Sequence, residues 1–138
     1  MPAYYTRFSC LLPVSSTVNV KPALDLYEVF ADELDEKNEV VLFQASIDSH
    51  SEPLLWLSSG DDGDPEQVIA FALRCAASVD LSGLWGFQWT HGCWPPRLDA
   101  FSAGACVIDL TKRCVVDQVD TQQWLSDRLT QKQEQAND

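Results

Sequence analysis

A thiol, an imidazole and a carboxylate fall close together at one place in this chain, at His91, Cys93 and, further on, Asp99. A cysteine acts as a nucleophile when a base lies within hydrogen-bond reach and a third group orients that base. His91 and Cys93, two residues apart in a turn, could meet the first condition. No glycine-rich nucleophile motif surrounds Cys93, and the order of the three groups matches no hydrolase signature. A thiol-dependent enzyme is therefore kept as an alternative, and the plainer reading makes His91 and Cys93 parts of an irregular segment beside Trp94. Zinc is not expected, because a lone histidine and scattered cysteines lack paired ligand spacing. His50 lies in a turn and receives no role.

Carboxylates form two further groups. Asp61, Asp62, Asp64 and Glu66 share a glycine-containing loop whose oxygens could hold a hard cation. Their spacing departs from the twelve-residue calcium loop, and Asp64 is already committed as a helix cap, so the run reads as ordinary turn chemistry. No metal and no cofactor are expected. The second group, Asp25, Glu28, Asp32 and Glu36, recurs at helical spacing. Such a row serves solubility, but with Asp61 and Asp62 it could also stand in for phosphates, as in inhibitors that mimic DNA.

Trp85, Phe87 and Trp89 alternate along Leu84 to Thr90 and so line one face of a strand. Covered by helices, that face is core, where aromatics of this size dominate the energetics. Left open, it is a binding surface, and a homodimer packed sheet to sheet is its natural occupant.

The elements that must position these residues follow from periodicity and punctuation. Tyr4 to Val14 reads as a strand closed by Pro13 and the Ser15-Ser16-Thr17 cluster. Asn19 is expected to cap a helix with Pro22 in its first turn, in which Ala23, Tyr27, Phe30, Ala31 and Leu34 recur at steps of three and four, ending near Asn38. Glu39 to Asp48 and Leu54 to Leu57 suggest an antiparallel hairpin. Asp64-Pro65-Glu66-Gln67 combines a cap, a proline at the first helical position and a glutamine three residues on, opening a largely buried helix to Val79. Leu84 to Thr90 is the next strand, and Gly92-Cys93-Trp94-Pro95-Pro96 breaks the chain. Ala105 to Leu110 and Cys114 to Val119 read as a hairpin, and Asp120 with Gln123 opens a last helix holding Trp124, Leu125 and Leu129. The order predicts an α+β fold: an antiparallel sheet with both helices on one face, a βαββαβ (ferredoxin-like) core, plus a hairpin and a C-terminal helix. Residues 1–130 form one domain in this reading, with 131–138 a frayed tail.

Composition bounds the function. The chain has 138 residues (15.4 kDa) with 46% hydrophobic side chains, a globular composition large enough for a core without staples. Twenty-one acidic against nine basic residues give a net charge of -12, which argues against direct binding of nucleic acid, since phosphate neutralisation needs clustered Lys and Arg. The N-terminus does not read as a signal peptide and no run approaches a membrane span, so a cytosolic protein without membrane contact is expected. Five cysteines without C-x-x-C spacing read as reduced, mostly buried thiols.

Leu84-Trp85-Gly86-Phe87, Pro96-Arg97-Leu98-Asp99-Ala100-Phe101, Ile108-Asp109-Leu110 and Trp124-Leu125 resemble stretches of small uncharacterised proteins carried on proteobacterial plasmids and integrative elements. The resemblance runs over most of the chain and implies a mobile-element accessory context, with no catalytic residue. The reading as a whole is a non-enzymatic module that binds another protein or itself, possible alternatives being the acidic nucleic-acid mimic and the thiol enzyme.

Overall fold

The computed structural model describes residues 3–47, 49, 51–97 and 100–136, with side chains described to residue 131. His50 and Asp99 therefore lie outside the described residues. The fold is α+β, with three helices and two antiparallel sheets. Elements follow in the order β1 (Ala3–Arg7), β2 (Ser9–Pro13), α1 (Val20–Glu36), β3 (Gln44–Ile47), β4 (Leu54–Ser58), α2 (Pro65–Ser78), β5 (Leu84–Trp94), β6 (Ser102–Asp109), β7 (Cys114–Asp120) and α3 (Thr121–Ala136). A 3-10 turn, Thr17–Asn19, precedes α1.

The single expected strand from Tyr4 to Val14 divides at Phe8. Before it, β1 pairs antiparallel with β5, Thr6 opposite His91; after it, β2 pairs antiparallel with β4, Leu12 opposite Leu55. Phe8 is held at the crossing by Ser59, whose Oγ accepts from the Phe8 amide at 2.9 Å and whose own amide donates to the Phe8 carbonyl at 3.0 Å. The strands consequently belong to a four-stranded sheet of order β1-β5-β6-β7 and a three-stranded sheet of order β2-β4-β3. This corrects the expected ferredoxin-like βαββαβ sheet: strand order and helix placement differ, because the first strand changes partners half way and β5 takes β6 on its other side. The expected hairpins of β3 with β4 and β6 with β7 are present. β3 is shorter than the 39–48 run suggested, and β5 extends four residues past Thr90 to end before the prolines.

Helix α2 begins as its sequence requires, with Pro65 in the first turn and the Asp64 carboxylate accepting from the Glu66 amide at 3.0 Å. Asn19 stands at the N-cap position of α1 as expected but makes no side-chain capping bond; its amide donates instead to the Val14 carbonyl, and Ser16 caps the 3-10 turn ahead of it. Asn38 closes α1 with a φ of 61°, a left-handed position that Asn tolerates better than most residues. Phe71 of α2 is fully buried among Tyr27 and Phe30 of α1 and Phe43, with ring centroids 5.6–6.0 Å apart. This cluster continues through Leu12, Leu55 and Leu57 to Ile108 and joins both sheets and two helices in one core.

Candidate association surface

The aromatic strand is the middle of that core. Trp85, Phe87 and Trp89 share one face of β5, as their spacing predicts, with centroids 5.4 Å and 5.2 Å apart, and each is less than a tenth exposed. The Trp85 indole donates to the Leu11 carbonyl of β2 at 2.9 Å, tying the two sheets together, and Phe87 meets Phe8 edge-on at 6.1 Å. Of the two readings of this face, the structure takes the core; as an open contact surface the three rings are corrected, because they are buried members of the core cluster, with Phe8 and β2 against them.

His91 and Cys93 fall in β5 and not in a turn, so a strand advance of about 6.6 Å separates their backbones. The His91 Nδ1 lies 2.7 Å from Thr6 Oγ1, while Cys93 is 1% exposed. The structure thus gives the imidazole a hydroxyl partner and buries the thiol. Burial also pushes the thiols of Cys10 and Cys75 up to about 12 and that of Cys106 to about 11, leaving them protonated at neutral pH. All five cysteines are free, and Cys114 on β7 is exposed. Among the described residues no group of three or more His, Cys, Asp or Glu side chains is placed to hold a metal ion.

The acidic candidates stand on separate elements. Asp25, Glu28, Asp32 and Glu36 are all exposed on α1, with Asp25 paired to Lys21 at 3.5 Å. Glu33 instead turns to α2, where both its oxygens accept from the Arg74 guanidinium; these hydrogen bonds hold its carboxyl below the usual range. Asp61 accepts from Arg7 Nε at 2.8 Å, and that guanidinium lies 4.1 Å from the centre of the Tyr5 ring. The loop carrying Asp61 and Asp62 runs beside β1: the Thr6 amide donates to the Asp61 carbonyl and the Gly63 amide to the Thr6 carbonyl, each at 2.8 Å. The β1 edge of the four-stranded sheet is thereby bridged at Thr6 by the chain itself.

The other edge is β7, and there the pattern of burial changes. Every residue of β7 is exposed, as is every described side chain of α3. The helix begins as predicted, with the Asp120 carboxylate accepting from the Gln123 amide at 3.0 Å, and continues to Ala136 into the stretch expected to fray. It lies against β6 and β7, yet Trp124 is 55%, Leu125 52% and Leu129 57% exposed. Val115, Val116 and Val119 of β7 are exposed with them. A cleft separates this C-terminal arm from the body, lined by Pro65, Glu66, Trp89, His91, Gln118 and Gln123.

Charge separates the arm from the body as well. Between Lys112 and Ala136 four basic side chains (Lys112, Arg113, Arg128, Lys132) balance four acidic ones (Asp117, Asp120, Asp127, Glu134). The arm itself, β7 and α3, carries a net charge of -2, and with the Lys112-Arg113 turn that leads into it the stretch is neutral, so the whole net charge of -12 lies outside the arm and its turn. Sequence reasoning placed both elements but missed the surface they form. The signal available was a last helix with three large apolar residues and an even charge balance, following an acidic domain that already had two helices for its core.

No family model, curated protein or solved structure matches the chain. Among the described residues no helix is long and apolar enough to cross a membrane.

Proposed function

We propose that this chain is a non-enzymatic, cytosolic protein-binding module that associates through its C-terminal arm, β7 and α3, in the accessory context that the plasmid and integrative-element resemblance implies. The observation that carries this reading is the exposure of Trp124, Leu125 and Leu129 on a helix with no internal face to bury them. A helix of this length is marginal in water by itself, and in proteins its stability comes from packing an apolar stripe against something else. Full burial of each such side chain is worth about 1.5–3 kcal/mol, so helix formation and association reinforce each other.

Light scattering of the full chain beside a Trp124→Ser/Leu129→Ser variant tests the reading. The full chain should form a species heavier than 15.4 kDa that the variant loses while keeping the thermal melt of the body. Monomers of both proteins at all concentrations, with no protein bound by the full chain that the variant fails to bind, would contradict it. A second reading, occupation of a basic groove by carboxylates, is supported by the fully exposed row Asp25, Glu28, Asp32 and Glu36, and differs in its response to salt.

A further inference from the structure

Resting on the reading of the arm as the binding element, we infer that its occupant is a second copy of this chain, joined by antiparallel pairing of β7 with β7 across a twofold axis at Gln118. The two four-stranded sheets then become one of eight strands.

Three observations lead there. The edge formed by β1 is bridged at Thr6 by the Asp61–Gly63 backbone, whereas β7 ends its sheet with a row of backbone groups facing away from β6, where the Gln118 amide is met by the carboxylate of its neighbour Asp117 at 2.8 Å, a local bond that a partner strand can replace. An edge of that kind is a template for another strand. Second, two chains of charge -12 repel, so copies meet closely only where charge is lowest, and the arm with its Lys112-Arg113 turn is that place. An unrelated basic partner would instead be drawn to the body.

Third, of the registers that keep carboxylates from facing each other, a twofold at Gln118 pairs the longest run of β7, Val116 to Asp120, without setting the axis on the register shift beside Val116. A twofold at Asp117 would set two carboxylates opposite each other, which destabilises a strand pair. A twofold at Gln118 sets Asp117 opposite Val119 and Val116 opposite Asp120, with no carboxylate facing another. It also carries the cationic Lys112-Arg113 turn of each copy towards the first turn of the other copy's α3. The contact is isologous, each patch meeting its own copy, and therefore closes as a dimer.

The side chains at the twofold are directly opposite, with Cα atoms about 4.5–5.5 Å apart, within disulfide range. In a Cys114→Ser background of the full chain, Gln118→Cys should therefore form an intermolecular disulfide under mild oxidation, and Asp117→Cys should not. Light scattering of the reduced proteins reports association separately. Cross-linking through Asp117→Cys, or through neither position while the protein is dimeric, overturns the register and leaves the arm as binding element. A monomer that binds no other protein through the arm overturns both, and a monomer that binds another protein there overturns only the second copy as occupant.

Discussion

Trp89 lies over Gly104, its partner directly across the β5–β6 ladder, so closely that a methyl carbon on Gly104 would stand 2.2 Å from Cε2 of the indole. The glycine is therefore a packing requirement of the aromatic strand: both residues are buried, and the ring occupies the space a side chain would take. Gly104→Ala should lower stability by about 1–3 kcal/mol, as overpacked cores do, read as a fall in the urea midpoint. Combining it with Trp89→Leu should cost less than the sum of the two single changes, since the smaller side chain clears the methyl group.

Thiol reactivity follows burial. Cys10 and Cys75, raised to about 12, and Cys106, raised to about 11, hold little thiolate at neutral pH, and Cys93 is sealed from solvent. Iodoacetamide at pH 7.5 should label Cys114 first, with the other four reacting only after denaturant is added; peptide mass mapping shows the order. Rapid labelling of Cys93 in the native protein would revive the thiol-enzyme alternative.

The Glu33–Arg74 pair links α1 to α2 and sets part of the acid limit of the fold. Its hydrogen bonds lower the folded-state pKa of Glu33, so its contribution is present above the unfolded carboxylate range and disappears as pH falls through that range to the lower folded value. Both side chains are partly exposed and solvent screens them, so the effect is modest. Thermal melts should show Glu33→Gln below the unsubstituted protein at pH 7, with the gap closing towards pH 3.

Much of this fold is legible in the sequence where local chemistry decides. Asp64-Pro65 starts α2, the two-residue alternation of Trp85, Phe87 and Trp89 places three rings on one face, and Asp120 opens α3, all from rules acting within a few residues. What is hidden depends on distant partners. Nothing near Phe8 announces that its amide will meet Ser59 and divide one strand between two sheets. Likewise, whether the aromatic face is core or surface depends on what covers it, and the covering residues are far away in sequence. The arm is hidden for the converse reason: three apolar residues on α3 show as a surface only once the core proves complete without them.

Salt separates the two readings of the surface. Raising NaCl from about 50 mM to about 500 mM screens the repulsion between acidic bodies and leaves apolar contacts in place. Self-association measured by sedimentation equilibrium should hold or tighten over that range. A carboxylate row docked in a basic groove would be weakened by the same change.

The central claim, that β7 and α3 form the association surface, is tested most directly by amide hydrogen exchange at increasing protein concentration. Protection of residues 114–131 should grow with concentration, with the amides of α2 unchanged because that helix is already buried. Protection of the arm that is independent of concentration, or growth confined to α1 or β3, would contradict the account.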